Sequence, residues 1–215
     1  MLLVINCSGR ITRSITRRLT DRFVAVWRSQ NPEGTVVQRD IGQNPPPPVN
    51  ENWIAAEFAN PAKHTSAMHD ALRLSESLVE EIVAADCIVI GTPIYNFGMP
   101  AQLKAYFDQV IRVGRTFAFT ADSSDPYRPL LVSKPVTVIT AAGDGSMHPG
   151  GALAHLNFLE PHLTTVLGFI GLTDVTFVRV GYEEFQDDRL KRSLAAAETS
   201  IDKIAAGHLT RELAS

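Results

Sequence analysis

Four short runs of this chain, Leu2–Asn6, Cys87–Gly91, Pro135–Thr140 and Val175–Val180, are rich in β-branched residues and read as having the continuous apolar character of strands buried on both faces, although Arg179 interrupts the last. A strand with one face in water alternates apolar and polar residues, so an unbroken run is the mark of a strand covered on both faces. Segments with helical spacing lie between them. Ile15, Leu19, Phe23 and Val26 recur on one helical face, followed by Met68, Ala71, Leu72, Leu78, Val79 and Ile82, then Leu103, Phe107, Val110 and Ile111. A fourth helix is expected over Leu153–Leu167, and a last stripe runs through Leu190, Leu194, Ala197, Ile201 and Ile204. Thr35–Arg39 alternates weakly and reads as a more exposed strand. Strands alternating with helices form βαβ units, whose crossovers place helices on both faces of a parallel sheet. The expected architecture is α/β: a doubly wound five-stranded sheet in the order 2-1-3-4-5. Its ligand should bind beyond the C-terminal strand ends, beside the first strand.

Length and charge narrow the class. A 215-residue chain forming one domain over 1–215 buries enough apolar surface to need no disulfide or metal. A net charge of −3, with no run of Lys or Arg, argues against nucleic acid or an anionic membrane as partner. No apolar stretch reaches the ~18 residues of a membrane span. Met1–Ile5 lacks a basic leader and meets Asn6 at once, so no signal peptide is expected and the reading is cytoplasmic. The two cysteines, Cys7 and Cys87, fall at opposite ends of neighbouring parallel strands. That separates them by ~15 Å, beyond the ~7 Å a bridge allows. Cys87 reads as a small buried hydrophobe, and Cys7 as a loop residue with little claim to be a nucleophile.

Pro45–Pro48 forms a stiff extended turn, and the segment from Pro45 to His64, with Trp53 and Phe58, is longer than usual connections. It is either functional or interfacial, or a surface excursion covering the sheet edge.

Two loops carry chemistry. The first, Asn6–Thr16, joins the first strand to the first helix and holds Ser8, Thr12, Ser14, Thr16, Arg10 and Arg13. Hydroxyls, a guanidinium and the unpaired N–H groups of a helix start together suit a phosphate. Gly9 stands alone, so neither a dinucleotide fingerprint nor a triphosphate loop is present. The plainer alternative is that Thr12 or Ser14 only caps the helix. The second loop, Thr92–Pro100, is bracketed by Pro93 and Pro100 and contains Ile94, Tyr95, Asn96 and Phe97. Aromatic side chains at a ligand crevice call for a flat apolar partner whose edge the Asn96 amide and loop N–H groups can bond.

The stretch TPIYNFGMPAQLKAYFDQV resembles the isoalloxazine-binding segment of the FMN-dependent NADH-azoreductases, also described as FMN-dependent NADH:quinone oxidoreductases. The similarity extends through VVQRDIGQNPPPP (36–48), Leu74–Gly91, GRTFAFT (114–120) and VLGFIGLTDV (166–175). It implies a flavodoxin-like fold and bound FMN, with Ser8, Thr12, Arg13 and Ser14 at the phosphate and Ile94, Tyr95, Asn96 and Phe97 along the ring. The family's Ser-x-Ser is matched here to Thr12-Arg13-Ser14. After the fourth strand its Ser-Arg-Gly-Gly is replaced by Ala141, Ala142, Gly143 and Asp144, which loses an arginine and places a carboxylate near the flavin.

The implied chemistry is two-electron, ping-pong hydride transfer from NADH through FMN to quinones and azo compounds, in a homodimer with the flavin sites at its interface. Backbone N–H groups of Gly143–Gly145 would face the developing negative charge. No side chain need be a nucleophile; His148 is a candidate cation or proton donor, or else an exposed loop histidine. Phe119, and with it Phe117, is a candidate substrate-pocket wall, or else core. Competing readings are an NAD(P)H-dependent reductase releasing reduced flavin, a flavodoxin-type carrier, and a scaffold that has lost the cofactor.

Overall fold

The computed structural model describes residues 1–207; the expected domain runs to residue 215, and 208–215 lie outside the described residues. The main sheet contains β1 (Leu2–Asn6), β2 (Val36–Asp40), β3 (Cys87–Pro93), β6 (Val136–Ala141) and β7 (Val175–Val180). All are parallel, in the order β2-β1-β3-β6-β7, which is the expected 2-1-3-4-5 arrangement. A separate antiparallel hairpin pairs β4 (Phe117–Phe119) with β5 (Tyr127–Pro129).

Alternation along the central strands divides the core. Leu3 and Ile5 of β1 face α3 (Ser66–Ala84), α4 (Ala101–Val110) and α5 (Leu159–Ile170), where Leu78, Ile82, Leu103, Tyr106, Phe107 and Leu163 are buried. Leu2 and Val4 face α1 (Ile15–Gln30) and α6 (Asp188–Gly207) through Leu19, Phe23, Trp27, Leu190 and Ile201. Leu2 and Cys87 are partners at one end of β1 and β3, while the Cys7 N–H bonds the Gly91 carbonyl at the other. Both cysteines are buried and neither forms a disulfide, as their placement on parallel strands requires.

The expected helix over Leu153–Leu167 is broken. Ala154–Leu156 forms a single tight turn, and α5 begins only at Leu159. Pro161 explains the break: mid-helix it would lack a donor and clash with the preceding turn, whereas within the first turn of α5 its missing N–H costs nothing. The Asn157 side chain accepts from the Glu160 N–H at 3.2 Å and fixes the new start.

The long connection after β2 folds into α2 (Glu51–Glu57), capped by Asn50. Trp53 and Ala56 pack on Leu72 of α3. Glu57 reaches the Arg112 guanidinium at 2.5 Å, with both side chains buried. The segment therefore covers the flank of α3, while Ile54 and Phe58 remain exposed.

Candidate active site

Parallel strands deliver all their following loops to one end, and three of these loops meet over β1, β3 and β6. They enclose a cleft of about 190 Å³. Ser8, Arg13, Ser14, Ile94, Tyr95, Ala141 and Gly143, all expected at the site, line it, and Arg10, Ile15, Thr16, Glu183 and Glu184 join them.

The turn between β1 and α1 forms the polar end. Ser14 caps α1, its hydroxyl accepting from the Arg17 N–H at 3.3 Å and lying 3.2 Å from the Thr16 hydroxyl. The hydroxyls that lie together are thus those of Ser14 and Thr16. Thr12 and Arg13 are exposed and border an adjoining cleft of about 650 Å³ with Arg10 and Arg18. Among the described residues, the backbone N–H groups of Gly9, Ile11, Thr12 and Arg13 find no acceptor. Several unpaired donors, beside hydroxyls and the start of a helix, fit an anionic phosphate. Capping and phosphate binding are compatible here, because the cap uses one hydroxyl and leaves the loop amides open.

Cys7 lies beneath this turn with no exposure, and its thiol approaches the Ile5 carbonyl at 3.9 Å. Burial pushes the thiol well above its ordinary range, so it supplies no thiolate.

The loop after β3 forms the apolar end. Tyr95 and Gly98 exchange two backbone hydrogen bonds, at 3.2 and 3.0 Å, closing a two-residue turn over Asn96 and Phe97. Both central residues have positive φ, 46° and 70°. Asparagine tolerates this conformation, but phenylalanine sits where such turns ordinarily take glycine. The strain is held by an anchor: the Phe97 carbonyl accepts from the Phe158 N–H at 2.9 Å, just before α5. Tyr95 and Phe97 are 40% and 47% exposed, leaving aromatic surface for a flat partner. Asn96 and Phe97 form the tip of the loop beyond the narrow cleft.

The third rim is the Ala141–Asp144 loop, which a fourth loop after β7 covers. A Cβ on Gly181 would lie 2.3 Å from the Gly145 Cα, so these backbones touch and neither position has room for a side chain. Ala142 is buried and its N–H bonds the Val180 carbonyl at 2.9 Å; its part is to join the loops. Asp144 caps the turn Gly145–Met147, accepting from the Ser146 N–H at 2.8 Å, which holds its carboxyl below the usual range. The carboxylate is thereby engaged with its own turn.

His148 packs against Gly181, its Nε2 buried without a partner. Burial lowers its pKa, so the position holds a neutral imidazole rather than a resident cation. Phe119 stacks at 5.4 Å on Tyr127 within the β4–β5 hairpin, and Phe117 packs on Phe169 at 4.8 Å. Phe119 is half exposed and lies outside the narrow cleft.

The contributions of Arg17, Glu183 and Glu184 had not been foreseen. Arg17 makes a bidentate pair with Asp40 and also bonds the loop backbone. Glu183 pairs with Arg10 across the cleft, and the Glu184 side chain lies over Gly143. The one sequence signal for Glu183 and Glu184 is position, just beyond the end of a parallel strand; Arg17 reads as an ordinary residue of the first turn of α1.

A family profile described as having a flavodoxin-like fold matches residues 1–204. The chain is 58% identical over 203 residues to an FMN-dependent NADH:quinone oxidoreductase of Opitutus terrae, covering 94% of this chain and 95% of that one. The chain belongs to the FMN-dependent NADH:quinone oxidoreductase family. A second relative with that description, from Trichormus variabilis, is 43% identical over 206 residues, covering 95% of this chain and 98% of its own. Among solved structures, an azoreductase from Bacillus anthracis superposes with a TM-score of 0.84 at 22% identity, covering 95% of this chain and 98% of that one. An FMN-dependent NADH-azoreductase of the same species, in complex with FMN, gives 0.83 at 20% identity, with 95% and 97% covered. These two share its fold.

Proposed function

We propose that this protein is an FMN-dependent NADH:quinone oxidoreductase, acting on quinones and azo compounds by ping-pong two-electron transfer. One observation carries the reading. A turn rich in unpaired backbone donors, through Ser8, Arg13 and Ser14, and the aromatic loop after β3, through Ile94 and Tyr95, meet at one cleft at the switch point of the sheet, suited to the anionic and planar ends of one molecule.

The residues divide the work. Ser8, Thr12, Arg13 and Ser14 serve the phosphate, with Thr16 added because its hydroxyl adjoins that of Ser14. Ile94, Tyr95, Asn96 and Phe97 support the ring, the strained turn keeping the two aromatic side chains outward. Ala141, Ala142, Gly143 and Asp144 form the third rim, where the Gly143 N–H has no acceptor among the described residues. Asp144 acts there by shaping its turn. FMN, when bound, supplies the hydride-accepting and hydride-donating centre, so the protein's task is binding, orientation and placement of donors. Phe119 is read as a substrate wall.

The protein is proposed to act as a single domain over residues 1–215 and as a homodimer. Exposed Ile54 and Phe58 on α2 and its end, at 46% and 72%, with Phe119 at 51%, support pairing of apolar faces. No helix among the described residues is long and apolar enough to cross a membrane. A cytoplasmic location is part of this proposal.

The test is spectroscopic. The purified protein, loaded with FMN, should lose its visible flavin absorbance on anaerobic addition of NADH and regain it when a quinone follows. Absorbance that NADH leaves untouched would overturn the assignment.

A further inference from the structure

The turn after β1 is shaped by side chains from three other places in the chain. Its four consecutive carbonyls each accept a side-chain hydrogen bond. The Cys7 carbonyl takes Gln102 Nε2 at 2.6 Å, Ser8 takes Arg17 Nη2 at 2.6 Å, Gly9 takes Gln43 Nε2 at 3.2 Å, and Arg10 takes Arg17 Nε at 2.8 Å. Each peptide is planar and trans, so its N–H points opposite to its carbonyl. The N–H groups of Ser8, Gly9, Arg10 and Ile11 are therefore turned away from these donors. That of Arg10 bonds the Ser8 hydroxyl at 3.2 Å, and those of Ser8, Gly9 and Ile11 have no acceptor among the described residues.

Arg17 is the centre of this arrangement. It supplies two of the four bonds and is held by both oxygens of Asp40, at 2.6 and 2.7 Å. Its side chain is only 13% exposed. The space is tight: a Cβ on Gly42 would lie 2.1 Å from the Ser8 oxygen and 2.8 Å from Arg17 Nη2.

We propose that Arg17 is a positioning residue for a phosphomonoester. Held by Asp40 and assisted by Gln43 and Gln102, it draws the carbonyls of the turn outward so that the amides behind them converge on the phosphate before it arrives. Arg17 acts through the backbone and need not touch the anion. Without it, the turn would have to reorganise at each binding event, and carbonyl oxygens would be free to face the anion. This inference rests on the FMN reading above.

Flavin-free wild type and Arg17→Lys are titrated with FMN and with riboflavin, which lacks the phosphate, following flavin fluorescence. Lysine keeps the charge but cannot reproduce the fork that spans two carbonyls and a carboxylate. The expected result is an FMN affinity about ten- to hundredfold weaker, the scale of one or two hydrogen bonds to a charged group. Riboflavin affinity should change less than about twofold, because its ring contacts lie elsewhere. Gln43→Ala, which removes the bond to Gly9 and a longer one, 3.5 Å, to the neighbouring Gly42 carbonyl, should give a smaller loss in the same direction and guards against a folding failure of the first variant. Unchanged FMN affinity in both variants would overturn the inference, and so would equal losses for FMN and riboflavin, the signature of a general structural defect. A wild type that binds neither flavin would instead overturn the cofactor assignment, and the inference with it.

Discussion

Replacing Glu57 by alanine should destabilise the protein more than loss of any exposed ion pair. The Glu57 and Arg112 side chains are 3% and 6% exposed, and the carboxylate accepts from Arg112 Nε at 2.5 Å and the Val113 N–H at 2.9 Å. Removing one partner of a buried pair costs about 3–5 kcal/mol, most of it from the charge left behind. Arg112 retains Glu76 at 2.7 Å, itself one-third exposed, which places the loss near the lower end, about 3 kcal/mol. For a chain of this length that corresponds to a fall of about 6–12 °C in the thermal midpoint. Glu57→Gln keeps an acceptor for Val113 but turns its –NH2 towards Arg112 Nε and leaves the same buried charge, so it should cost as much, ~3 kcal/mol.

Urea unfolding followed by circular dichroism measures both variants. Asp202→Ala, which breaks the exposed pair with Arg22, serves as a control and should leave the midpoint in place. A Glu57→Ala loss below about 1 kcal/mol would refute the reasoning, because it would mean water already reaches the guanidinium.

Three further outcomes are expected. Arg13 has no carboxylate partner among the described residues, so Arg13→Ala should weaken FMN binding and flatten its dependence on salt without lowering the unfolding midpoint. Asn96→Ala should weaken FMN binding and cost about 1 kcal/mol, because alanine tolerates positive φ poorly. Asn96→Gly should recover the stability but not the affinity, which separates the amide from the backbone. Stability should fall with acid in two windows. The folded His148 pKa lies below its ordinary value because of burial, so its contribution is complete above pH ~6.5 and lost as pH falls below it. Asp40 is lowered chiefly by its hydrogen bonds from Arg17, so its contribution is complete above pH ~4 and lost below. A His148→Gln variant that still shows the upper window would contradict the first assignment.

The central fold was legible because two-faced burial writes itself directly into the sequences of β1, β3 and β6; β7, expected to be covered on both faces, is instead a partly exposed edge strand like β2, yet each main-sheet strand lies within a residue or two of its expected run. The helix over Leu153–Leu167 failed because its apolar spacing runs on through Pro161, and a single residue without a donor outweighs several that suit the helical face. The aromatic turn was legible as a binding loop, since two prolines and a run of exposed aromatics are local signals. Its strain was not, because positive φ at Phe97 depends on the anchor from Phe158, sixty-one residues on.

The phosphate end shows why the remainder was hidden. In a dinucleotide turn, glycines let the backbone approach the anion, and the requirement is visible as a local motif. This turn contains only Gly9 and reaches a donor-rich conformation by another route. Its carbonyls are taken up by Gln102 from α4, Gln43 from beyond β2, and Arg17 from α1, itself held by Asp40 at the end of β2. Each of those residues alone reads as an ordinary polar side chain on a helix or loop. The proposed anion site is therefore specified by the assembled sheet rather than by the turn's own sequence, and on this reading a substitution far along the chain empties it while every residue of the turn stays in place.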